Sequence, residues 1–73
     1  MSAVEVECYS GTRYAEQPRA FTWLARRYQV SEIEWAWRGL EGPHFVVRTT
    51  GGDRFHLYYE EGADRWHIDF DLR

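Results

Sequence analysis

Three histidines, twelve carboxylates and nine arginines are the side chains of this 73-residue sequence able to move protons, hold ions or grip anions. A histidine oriented by a carboxylate and facing a hydroxyl or thiol would make a base and nucleophile for acyl transfer. Imidazoles converging with a carboxylate or thiolate would hold zinc. Arginines gathered on one surface would clasp phosphates or carboxylates through the planar guanidinium fork. Which of these arrangements arises depends on the elements that carry the residues.

Those elements read as strands. Apolar residues alternate at period two along most of the chain, with no sustained helical spacing. Val4, Val6 and Cys8 mark a first strand, and a polar loop spans Ser10 to Arg19. Phe21 and Trp23 mark a second strand. Tyr28 and Val30, then Ile33, Trp35 and Trp37, mark a long third one, whose change of parity at Ser31 and Glu32 calls for a β-bulge. Phe45 to Thr49, Phe55 to Tyr59 and Trp66 to Leu72 complete six strands, with every glycine before or between them. The expected fold over residues 1–73 is one small all-β domain: a six-stranded antiparallel meander, strongly twisted, closing toward a small barrel of SH3 type.

Register follows from keeping apolar residues on one face. A Gly62-Ala63 turn of type II′ sets Tyr59 opposite Trp66 and Leu57 opposite Ile68. A three-residue Gly51 to Asp53 loop sets Val47 opposite Leu57 and Phe45 opposite Tyr59. A turn at Ala25-Arg26 pairs Trp23 with Tyr28 and Phe21 with Val30. Trp37 is then expected opposite Phe45, and Trp35 opposite Val47, with both indoles in the core. The outer face becomes a charge ladder in which Glu34, Arg48, His56 and Asp69 form one row. Arg38, His44, Glu60 and Arg65 form another, and Glu32, Thr50, Arg54 and Asp71 a third.

On this register no serine or cysteine sits beside His56, and the three histidines fall on three outer rows, too far apart for one ion. No catalytic residue, metal site or cofactor is therefore expected. One outer row breaks the charge pattern: Ala36, Val46, Tyr58 and His67 form an apolar stripe, suited to a partner or to the Ser10 to Arg19 loop folded back. The single cysteine excludes a disulfide within this sequence, and a reducing, cytoplasmic setting is expected. The first twenty residues lack the apolar run of a signal peptide or membrane anchor, so no membrane partner is expected.

The formal net charge of −3 disfavours tight non-specific nucleic-acid binding. The positive excess is concentrated at Arg13, Arg19, Arg26 and Arg27. The stretch "PRAFTWLARRYQVSEIEWAWR", followed by "VVRT" and "FHLYYEEGADRWHID", resembles a small bacterial all-β domain family. The pattern is an aromatic-x-Trp, a basic pair, Tyr-x-Val, Trp-Arg and a final strand with Trp, covering Pro18 to Ile68. Members occur as short stand-alone proteins and near Y-family, error-prone DNA polymerases. The resemblance implies a non-enzymatic interaction module, accessory to DNA repair or translesion synthesis. A polymerase or repair factor would be its protein partner, and the four arginines would meet DNA phosphates weakly. The alternative expectation is a protein-binding or self-associating module without nucleic-acid contact, a homodimer among the options. It would use the stripe with Val46, Tyr58 and His67, or a free sheet edge.

Overall fold

The computed structural model describes residues 4–8 and 17–69, and every regular element among them is a strand. These are β1 (Val4–Cys8), β2 (Pro18–Trp23), β3 (Arg26–Arg38), β4 (Pro43–Thr49), β5 (Arg54–Glu60) and β6 (Arg65–Asp69). They form one antiparallel sheet in the order β1-β2-β3-β4-β5-β6, as the alternation predicts, with β1 paired to β2 along its whole length. The sheet curls until β1 lies beside β6, giving a nearly closed barrel. No helix among the described residues is long and apolar enough to cross a membrane. Pro18 and Arg19, expected in the loop, open β2, while Arg13, Phe70, Asp71 and Leu72 lie outside the described residues.

The core is an aromatic and branched-aliphatic cluster: Phe21, Phe45, Val47, Phe55, Leu57 and Ile68 are buried, with Val4, Val6, Trp23, Tyr28, Val30, Ile33 and Trp66 packed around them. Phe55 sits at its centre, edge-on to Phe21, Trp23 and Tyr28 at centroid distances of 5.2, 5.8 and 4.9 Å. Such edge-to-face contacts bring the positive ring edge onto the negative ring face and add roughly 0.5–1.5 kcal/mol each to the area they bury.

The β5–β6 register agrees with the sequence expectation, Tyr59 facing Trp66 and Leu57 facing Ile68. Its turn differs in kind. Gly62 stays out of the left-handed region, and Asp64 enters it instead, at φ 51°. Asp64 tolerates that conformation because its short carboxylate finds a local donor, the Tyr59 hydroxyl. In the β4–β5 hairpin the three-residue loop is Thr50 to Gly52, one residue earlier than expected. The Thr49 amide donates to the Asp53 carbonyl at 2.8 Å, and Gly52 takes the left-handed position at φ 94°. Val47 consequently faces Phe55, and Phe45 faces Leu57. The β2–β3 turn likewise moves one residue earlier, to Leu24-Ala25, so that Phe21 faces Tyr28 and Trp23 faces Arg26. Both corrections slide a strand by two residues and leave its inward face unchanged.

The β3–β4 pair is different, because there the inward face itself changes. The expected bulge lies between Val30 and Glu32, where the Ser31 hydroxyl donates to the Arg48 carbonyl at 3.0 Å. A second irregularity lies between Ile33 and Trp35. The extra residue, Glu34, leaves Ile33 opposite Val47 on the core side but puts Trp35 opposite Val46 and Trp37 opposite His44 on the outer side. Both indoles thus leave the core, with Trp35 69 % and Trp37 46 % exposed.

Candidate functional site: a ring ladder beside the open edge of β3

The second bulge in β3 brings four rings into one row across four strands. Trp37 of β3 faces His44 of β4, His44 faces Tyr58 of β5, and Tyr58 faces His67 of β6. Consecutive centroids are 5.0, 4.8 and 4.8 Å apart, with interplanar angles of 16°, 12° and 15°. That step is the spacing of neighbouring strands, so the rings stand upright and stack face to face along the sheet. Of the expected stripe, only Tyr58 and His67 come together. Val46 belongs to the adjoining row with Trp35, His56 and Asp69, and Ala36 turns to the other face opposite Phe45. The predicted row of Arg38, His44, Glu60 and Arg65 keeps only its Glu60–Arg65 pair, and Arg38 instead reaches Glu61 at 2.6 Å.

The histidines are also closer together than the charge-ladder register implies. His44 Nδ1 lies 2.9 Å from His56 Nε2, and His44 Nε2 lies 2.6 Å from Glu41 Oε2. His44 is buried, clamped between the Trp37 and Tyr58 rings, and a Cβ on Gly39 would stand only 2.6 Å from its Nε2. The β3–β4 loop therefore needs glycine there to let the imidazole in. Glu41 is held below the usual carboxylate range, first by a hydrogen bond from its own backbone and then by His44. An ionised Glu41 assigns the Nε2 proton of His44, whose Nδ1 then accepts from His56 Nε2. His56 is held below the ordinary histidine value, first by burial and then by the charge of His44. Both nitrogens of His44 are engaged by protein groups, and His67 Nε2 is bound to Glu60 at 2.8 Å. Among the described residues no group of three or more histidines, cysteines or carboxylates is placed to hold a metal ion.

The arginines are distributed differently from a phosphate-binding cluster. Arg27 makes a two-pronged pair with Glu7 of β1 at 3.0 and 3.1 Å, which holds the Glu7 carboxyl below its usual range. Arg19 adds to the positive field on Glu7. The Arg26 guanidinium lies over the Tyr28 ring, 5.3 Å from its centroid. Farther along the outer face Glu34 receives Arg48 at 2.6 Å and Arg54 at 2.8 Å, and Arg48 before Arg54 holds that carboxyl down. The expected Glu34–Arg48 proximity is present, reached through the bulge.

β3 leaves part of its edge open. β2 pairs with it only as far as Gln29, and from Val30 to Arg38 its ladder is with β4 alone among the described residues. A notch lined by Gln17, Pro18, Val30, Ser31, Glu32 and Ile33 marks the place where the two strands part. Beyond it the outward indoles flank the edge, and Trp37 has His44 on one face and the open side of β3 on the other. Sequence reasoning missed Trp35, Trp37 and Glu41 as site residues. The signal in reach was the run "EWAWR", where two indoles two residues apart share a face whichever face that is. Comparison of this chain with protein families, curated proteins and solved structures finds no match.

Proposed function

We propose that this protein is a non-enzymatic binding module that captures an extended protein segment by strand addition to the open edge of β3. The observation that carries this reading is the coincidence of an unpaired β3 ladder with two outward indoles, 69 % and 46 % exposed. An unpaired edge offers backbone donors and acceptors to any incoming strand, and large exposed rings beside it supply the apolar anchors that give such pairing its affinity. The engagement of both His44 nitrogens favours binding over proton-transfer chemistry. The Arg27–Glu7 pair lowers the positive charge available to DNA phosphates, which favours a protein partner over nucleic acid.

Selection of a displayed peptide library against the folded chain tests the proposal. Peptides of alternating apolar character should be enriched, slow amide exchange at Trp35 to Arg38, and lose most of their binding to Trp35→Ala and Trp37→Ala. An absence of enrichment, or binding insensitive to both substitutions, would sink it. Salt-dependent DNA binding that requires Arg26 and Arg27 would instead establish the nucleic-acid alternative.

A further inference from the structure

Resting on the same open edge, we infer that its occupant is a second copy of this chain, paired antiparallel through β3 about a two-fold axis at Ala36. The residues from Glu34 to Arg38 read Glu-Trp-Ala-Trp-Arg, and this order is complementary to itself when reversed. With Ala36 facing Ala36 of the second copy, Trp35 meets Trp37 in both directions, and Glu34 meets Arg38 at both ends. A two-fold interface uses one patch twice, so a segment that complements itself is what such an interface requires.

Alternative two-fold registers lose this match. Centred on Trp35, the pairing sets Trp35 against itself and Glu34 against Ala36. Centred on Trp37, it sets Trp37 against itself and Trp35 against Gly39. The Ala36 register alone gives each indole an indole, each end an opposite charge, and the axis the smallest side chain of the five.

The ring ladder supplies the second argument. His67, Tyr58, His44 and Trp37 stack at strand spacing, and the series stops at the open side of Trp37. A strand added to β3 stands one further step along, and in the Ala36 register the residue it presents on that face is Trp35 of the second copy. The most exposed indole of each copy thus covers the open side of the other copy's Trp37. The bulge at Glu34 restricts regular pairing to Trp35 through Arg38, so the dimer is expected to be concentration-dependent.

Sedimentation velocity over a concentration series tests the inference, with three variants compared. The wild-type mass should rise from monomer to dimer. Ala36→Arg and Ala36→Asp place like charges on the axis, and each alone should stay monomeric over the same range. An equimolar mixture of the two should recover the dimer, because the axis then carries opposite charges. A wild type that stays monomeric, either variant dimerising alone as well as wild type, or a mixture that fails to associate would overturn it. Ala36 is exposed, so neither variant should disturb the monomer. If either fails to fold, Ala36→Cys replaces them: oxidation should link the two substituted positions, as identified by peptide mass, and absence of that link overturns the pairing. A monomeric chain that still captures library peptides would refute the self-pairing and leave the strand-capture reading standing.

Discussion

His44 and His56 together hold at most one extra proton comfortably, because nitrogens 2.9 Å apart form a hydrogen bond only when one of them is bare. Burial and the charge of His44 both push His56 toward its neutral form. The unfolded chain, where the ring has its ordinary value of 6.5, therefore takes up the proton first as pH falls. The stability associated with neutral His56 is complete above pH 6.5 and drains away below it, toward the lower folded value. Glu41 adds a second decline at more acid pH, below its ordinary 4.5. Denaturant unfolding across this range should show both declines, and His56→Gln, which retains a donor toward His44, should erase the upper one. A wild-type profile without the upper decline would contradict the hydrogen-bond assignment. Little of this cluster is legible in sequence. His44 and His56 are twelve positions apart, and a two-residue error in the β4–β5 register is enough to separate them.

Two of the hairpins show what alternation does and does not specify. Period-two patterning says which side chains face inward, and those faces hold in β2, β4, β5 and β6. It does not distinguish a pairing from one slid by two residues, and in both corrected hairpins the turn decides. The β2–β3 turn places Leu24 at φ 53° and Ala25 at φ 63°, both in the left-handed region that suits Asn and Gly. Nothing in "TWLARR" advertises a tight turn, which is why the sequence reading sets it one residue late. Replacing Leu24-Ala25 with Asn-Gly should stabilise the domain by about 1–2 kcal/mol, measured as a raised midpoint of thermal unfolding. An unchanged or lowered midpoint would count against the observed register. The bulge at Glu34 had no such signal. Ile33, Trp35 and Trp37 continue an unbroken alternation, and the insertion that sends the indoles outward carries neither glycine nor proline.

At the scale of the molecule, a curled sheet buries its inner face only if its two outer strands approach each other. β1 fills this role: Val4 and Val6 pack on the core, Val6 is paired with the fully buried Phe21, and the strand reaches β6. Removing residues 1–8 should cost about 3–6 kcal/mol, from two partly buried valines and the uncovering of Phe21. That is as much as so small a core ordinarily supplies. The truncated chain should lose its near-UV circular dichroism, and a cooperative melt close to that of the intact chain would refute this role for β1. The Glu7–Arg27 pair, half exposed on both sides, should matter far less to stability. The strand order has a consequence for how the barrel is reached. Every hydrogen-bonded neighbour in the sheet is also a neighbour in sequence, so each ladder closes only a modest loop and loses little chain entropy in doing so. The meeting of β1 with β6 is the one long-distance search among these strands, and it becomes a short one once the five ladders have curved the sheet.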